Sequence, residues 1–117
     1  DSPIVEEYEA KSIGEQETFE KDSRDPGFLI ERLKSLCGGV FARFESSEFT
    51  SFRTIVVTVR FSDFVTKNRS VTLKEPSHAL AVLEFESLKL FMPFLDAREN
   101  PKKKAIRLVG VRVEKLE

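Results

Sequence analysis

The amino-acid sequence predicts an α+β domain of order β-α-β-β-α-β. This is the split βαβ of ferredoxin-like folds, a four-stranded antiparallel sheet with two helices on one face. Three observations carry that prediction. Apolar residues alternate at period two over 52–62 and again along the last dozen residues. They recur at helical spacing after Pro26 and after Pro76. Clusters of turn-forming residues separate these runs.

Taken in order, residues 1–10, DSPIVEEYEA, hold four acidic groups and no period, as expected of a linker or lead-in. Residues 11–20, KSIGEQETFE, read as extended, with Ile13 and Phe19 on one face. Asp25-Pro26 predicts a helix start, an acidic cap followed by proline at the first helical position. Leu29, Leu33, Leu36, Cys37, Val40, Phe41 and Phe44 form its apolar stripe. Gly38-Gly39 interrupt that stripe at about 1 kcal/mol each, and their small size lets a helix lie close to a sheet.

The segment 52–62 is the clearest strand, with Ile55, Val57, Val59 and Phe61 facing one way. A turn through Asp63, Lys67 and Asn68 leads to a shorter strand, RSVTLKE, with Val71 and Leu73 on its apolar face. Pro76-Ser77 opens the second helix in this reading, with Ser77 as N-cap and Glu99-Asn100-Pro101 as its end. Its stripe is Leu80, Leu83, Leu88, Phe91, Met92 and Leu95. The last strand is KKKAIRLVGVRVEKL, with Val109, Val111 and Val113 on the core face.

Composition excludes several classes. The 117 residues make one domain with a formal net charge of -1, unlike a free-standing, strongly basic nucleic-acid binder. Cys37 is the single cysteine, so no intrachain disulfide or thiolate metal cage forms, and a reducing intracellular compartment fits. Apolar runs are too short to span a bilayer as helices. The chain does not begin with Met and reads as a piece of a longer protein, with Leu116-Glu117 either native or a cloning remnant.

Charge is segregated on the sheet. If the odd positions of the later strands pack on the helices, the even ones face outward. That open face holds Ser12, Gly14, Gln16 and Thr18, then Thr54, Val56, Thr58, Arg60 and Ser62. Ser70, Thr72, Lys104, Ile106, Leu108, Gly110 and Arg112 complete it, with Glu20 and Glu114 at the margins. Hydroxyls, glycines and cations suit phosphate oxygens. The same composition also suits a sheet face that is merely solvated. An RNA-recognition motif is disfavoured, because the third strand lacks the aromatics on which bases stack.

Two strings then become specific. Lys11-Ser12-Ile13-Gly14 with Thr18-Phe19 and Asp22, and Ile106-Arg107-Leu108-Val109-Gly110-Val111-Arg112, lie at the two ends of the pattern. Together they resemble the opening and closing strands of the little finger domain of Y-family, DinB-like translesion DNA polymerases. The resemblance covers nearly everything from Lys11 onward. It implies a linker over 1–10 from a missing catalytic core and a DNA-binding little finger over 11–117. It implies that duplex template-primer DNA is gripped along the major groove. Backbone amides of Ser12, Ile13, Gly14 and Glu15 then meet phosphates, joined by Arg107 and Arg112. Thr58 and Arg60 add to this face. Some relatives have a basic residue after SIG and paired arginines in the last strand. Glu15 and Leu108 stand there instead, so the grip is either weaker than in those relatives or shifted toward Lys102, Lys103 and Lys104. Alternation places Arg107 on the core side at the sheet edge, the resemblance places it on a phosphate, and both readings stand open. The parent polymerase would use Mg²⁺, this piece no cofactor. A sliding clamp is a further possible partner, and the domain itself is expected to be monomeric.

No catalytic constellation is evident. His78 lacks partners for a metal, Cys37 sits in an apolar stripe, and Phe85, Phe91 and Phe94 read as core and flank. Two rival functions are a ferredoxin-like regulatory module, which wants an apolar or pocketed open face, and a small acylphosphatase-like enzyme. The latter needs a phosphate-cradling loop that no segment supplies.

Overall fold

A computed structural model describes residues 12–117. The expected linker over 1–10, and Lys11, lie outside the described residues. The elements are β1 (Ser12–Ser23), α1 (Pro26–Glu45), β2 (Phe52–Phe61), β3 (Thr66–Ser77), α2 (Leu80–Phe91), a 3₁₀ turn (Met92–Leu95) and β4 (Ile106–Glu114). The predicted β-α-β-β-α-β order holds. The four strands form one antiparallel sheet in the order β1-β4-β2-β3, leaving β1 and β3 as edges.

Helix α1 starts where its sequence says. The Asp25 carboxylate accepts from the Gly27 N–H at 3.1 Å, and Pro26 occupies the first turn, where its missing N–H costs nothing. The helix runs through Gly38-Gly39 because its tertiary face compensates for them. Leu29, Leu33, Leu36, Cys37, Val40 and Phe44 are all buried. They meet Ile55, Val57 and Val59 of β2 and Val109, Val111 and Val113 of β4 in one core.

Helix α2 is shorter than expected at both ends. β3 continues through Pro76 to Ser77, so Ser77 ends a strand rather than capping a helix. Its hydroxyl instead accepts from the Ala79 N–H at 3.2 Å, and Ala79 takes the cap position without a side-chain bond. An edge strand tolerates Pro76, whose missing N–H is no loss on the outer side. At the other end Pro93 cannot supply an N–H to continue the α-helix, and a 3₁₀ turn follows from Met92. Asn100 then organises the loop into β4. Its side-chain amide donates to the carbonyls of Phe94 (3.3 Å) and Lys104 (2.9 Å) and accepts from the Lys104 N–H (2.8 Å). β4 therefore begins at Ile106, later than the lysine run suggested. Beyond it, Leu116 is buried in the core and the Glu117 backbone pairs with Ser51.

Candidate nucleic-acid interface

Residues paired across antiparallel strands share a face, so the register maps the open side of the sheet. Four rows cross it from β1 to β3. They are Ser12–Glu114–Thr54–Thr72, Gly14–Arg112–Val56–Ser70, Gln16–Gly110–Thr58–Asn68 and Thr18–Leu108–Arg60–Thr66. This is the face expected from alternation less Ser62, Lys104 and Ile106, with two cations, Arg60 and Arg112, and one carboxylate, Glu114.

Cross-strand bonds orient its side chains. Thr54 and Thr72 hydroxyls lie 3.0 Å apart, Thr58 donates to Asn68 Oδ1 at 2.6 Å, and Arg60 Nε donates to Thr66 Oγ1 at 2.8 Å. Arg112 Nε rests 2.6 Å from Glu114 Oε2. Gly14 and Gly110 open the surface between these groups. A Cβ on Gly14 would lie 3.1 Å from Arg112 Cβ, and one on Gly110 would lie 3.2 Å from Gln16 Cβ. The result is a shallow hollow of about 300 Å³, lined by both glycines with Gln16, Thr58 and Arg112. It offers amide and guanidinium donors with no bulk in the middle, a shape and chemistry suited to a phosphodiester.

The edge of β1 is built from behind. Ile13 is buried in the core, and the Glu15 side chain also turns to the helix side, where it reaches Gly39. A Cβ on Gly39 would stand 2.6 Å from Glu15 Oε1. Arg43, one turn further along α1, places Nη1 3.7 Å from Glu15 Oε2 and donates to the Gly14 carbonyl at 2.7 Å. Ile13 and Glu15 therefore present no side chain to the open face of this edge strand. Sequence reasoning missed Arg43. The signal was its i, i+4 spacing from Gly39, which puts it on the helix side facing β1.

The far end of β4 departs from expectation. Arg60 pairs with Leu108 while the next residue, Phe61, pairs with Ile106, so Arg107 is an extra, bulged residue. The bulge reverses the alternation before it. Ile106, expected on the open face, is 2% exposed in the core. Arg107, placed by alternation on the core side, instead has its guanidinium 4.7 Å from the Phe64 ring and 3.7 Å from Asp22 Oδ1. Lys104, also expected on that face, lies in the loop before the strand with Nζ 2.6 Å from Asp63 Oδ2. That bond holds the Asp63 carboxyl below its ordinary range. Lys102 and Lys103 are exposed in the turn, and the Lys103 carbonyl accepts from Arg24 Nε at 2.9 Å. The lysine run thus forms a separate basic corner rather than part of the open face.

Elsewhere the expected inert groups are accounted for. Burial pushes the Cys37 thiol up to about 11. Phe91 and Phe94 are core, whereas Phe85 is exposed beneath Lys89 Nζ at 5.2 Å. Among the described residues no group of three or more His, Cys, Asp or Glu is gathered for a metal, and no helix is long and apolar enough to cross a membrane.

Comparison with known proteins agrees with this geometry. The impB/mucB/samB family C-terminal domain matches residues 10–117. A DNA polymerase IV of Leptospira interrogans is 35% identical over 105 residues, covering 88% of this chain but 29% of that polymerase. The chain therefore spans less than a third of such a relative. Among solved structures, the complex of the beta-clamp processivity factor and the little finger domain of PolIV aligns with a TM-score of 0.72 at 19% identity. It covers 91% of this chain and 89% of that one. A Dbh ternary complex aligns with a TM-score of 0.73 at 16% identity, covering 88% of this chain and 28% of that one. At these identities the structural matches speak for the fold alone.

Proposed function

This chain belongs to the impB/mucB/samB C-terminal domain family, and we propose that it is the little finger of a Y-family translesion DNA polymerase, gripping template-primer duplex by its backbone. The observation that carries this reading is the glycine-floored hollow on the open sheet face, flanked by Arg112, Thr58 and Gln16. Phosphates of one strand lie along this hollow and the β1 edge, from Ser12 to Glu15. Arg60 and Arg112 supply charge on the face, and Lys102, Lys103 and Arg107 supply it at the corner. Such contacts position a duplex and carry little sequence preference.

Nucleotidyl transfer, with its Mg²⁺ ions, is assigned to the rest of the longer polymerase. The domain supplies affinity for the template-primer inside the cell, in the cytoplasm or, in a eukaryote, in the nucleus. A sliding clamp is a second proposed partner, by likeness to the solved little finger complex. A regulatory module binding a small apolar ligand is disfavoured by the polar lining of the hollow.

A duplex titration at several salt concentrations tests the proposal. With about three to five phosphates neutralised, log affinity against log salt should slope at about -3 to -4. Arg112→Ala should lower the magnitude of that slope by about one and weaken all duplexes alike. Unchanged affinity and slope in a folded Arg112→Ala chain would remove the open face from the DNA site.

A further inference from the structure

The tip between β2 and β3 displays a side chain that its backbone does not favour. Phe61 N–H donates to the Val65 carbonyl and Phe64 N–H donates to the Phe61 carbonyl, both at 2.9 Å. Ser62, Asp63 and Phe64 therefore make the turn. Hairpins with three-residue loops place the last of them in the left-handed region, where glycine is favoured. Here that residue is Phe64, at φ 68°. Burial does not compensate for the strain, because Phe64 is 63% exposed, and Val65 beside it is 42% exposed.

The ring nevertheless has a partner. The Arg107 guanidinium lies 4.7 Å from its centroid, supporting it from one side, and Asp22 holds that guanidinium in turn. The charges about the tip are mixed, with four cations to three carboxylates. Lys104 is held on Asp63, Lys67 lies 3.8 Å from Glu99, and Lys102 lines a hollow beside them. An exposed aromatic ring backed by a guanidinium has the makings of a single-strand binding site, a π-face for a base with lysines nearby for the flanking phosphates. A duplex hides its base faces, so a ring on a turn can stack only on a base that is unpaired.

We propose that Phe64, backed by Arg107, is a stacking platform for an unpaired nucleobase of a DNA strand. This site lies off the open face, shares Arg107 with the corner of the duplex grip, and takes from that reading only that the ligand is DNA. An apolar pocket on a protein could also receive Phe64 and Val65, but Arg107, Lys67, Lys102 and Lys104 outnumber Asp22, Asp63 and Glu99 about the tip and favour a polyanion.

The test uses the 117-residue chain, Phe64→Gly and Phe64→Trp. Fluorescence anisotropy at low salt compares a labelled oligothymidylate, an abasic strand of equal length and a blunt duplex. Glycine suits the left-handed turn, so Phe64→Gly should melt no lower than the parent chain. It should bind oligothymidylate about tenfold more weakly, the scale of one lost base–aromatic stack. Phe64→Trp should retain affinity, and the abasic strand and the duplex should not distinguish the three proteins. Equal oligothymidylate affinity of Phe64→Gly and the parent chain would overturn the proposal, as would an equal loss on the abasic strand or the duplex. A partner that is solely a protein would give that first result. Duplex binding without any base-dependent effect sinks the stacking site alone. A base-dependent effect with no duplex binding sinks the open-face grip alone.

Discussion

At the scale of single residues, one glycine and one buried thiol carry distinct expectations. Gly14 owes its identity to a neighbour, since a Cβ there would press on Arg112 Cβ and Cγ at 3.1 Å and on the Val111 carbonyl at 3.2 Å. Gly14→Val should therefore displace Arg112 and fill the hollow without removing charge. Duplex affinity should fall about fivefold, equivalent to roughly 1 kcal/mol. An unaltered binding isotherm from a folded variant would count against the hollow. Cys37 makes a pH prediction. Burial raises its thiol from 9.0 to about 11, so between those values the unfolded chain gives up a proton that the folded chain keeps. Stability should be unaffected below about pH 9 and fall as pH rises toward about 11, by roughly 1–3 kcal/mol. Urea melts of the chain and of Cys37→Ala should show this extra loss only in the former.

At the scale of elements, legibility followed burial. α1 was readable because its cap, its first-turn proline and its apolar stripe agree with one another. Gly38 breaks that pattern, yet nothing lies within 4 Å of where its Cβ would be. Gly38→Ala should thus stabilise the domain by about 0.5–1 kcal/mol, seen as a rise of several degrees in melting temperature. Gly39 differs, because Glu15 occupies the space beside it. The ends of α2 were misread, since Ser77 and Pro93 are ambiguous locally. A serine before an apolar run can cap a helix or close a strand, and strand pairing decides. The register Phe52↔Ser77 supplies that decision from a segment far away in sequence. The bulge at Arg107 was invisible for a related reason. Alternation shows which residues are apolar, but an inserted residue is revealed only by the partner strand.

At the scale of the whole molecule, one sheet face is covered by two helices and the other is left open, with the basic corner and the β1 edge at its margins. Net charge is near zero, so binding depends on where charges lie rather than on their sum. The duplex affinity of the isolated chain should accordingly be weak and salt-sensitive. The described residues gather no carboxylate cluster for a cation, and the proposed function places nucleotidyl transfer elsewhere in a longer polymerase. The pure chain should therefore extend no primer when given Mg²⁺ or Mn²⁺. Primer extension by the pure chain would overturn that division of labour.

The sequence by itself determined the element order, the helix start at Asp25-Pro26, most of the apolar core and the even-numbered open face as far as the bulge at Arg107, because period and caps are local properties of the chain. The two end strands, which sit side by side in the sheet, were legible through motifs at opposite ends of it. Tertiary structure alone decided the rest. It turned Glu15 onto Gly39, brought Arg43 to the Gly14 carbonyl, moved Lys104 to Asp63 and freed Arg107 to support Phe64. Each of those outcomes depends on which segment lies opposite, and a pairing partner distant along the chain leaves no mark on local periodicity.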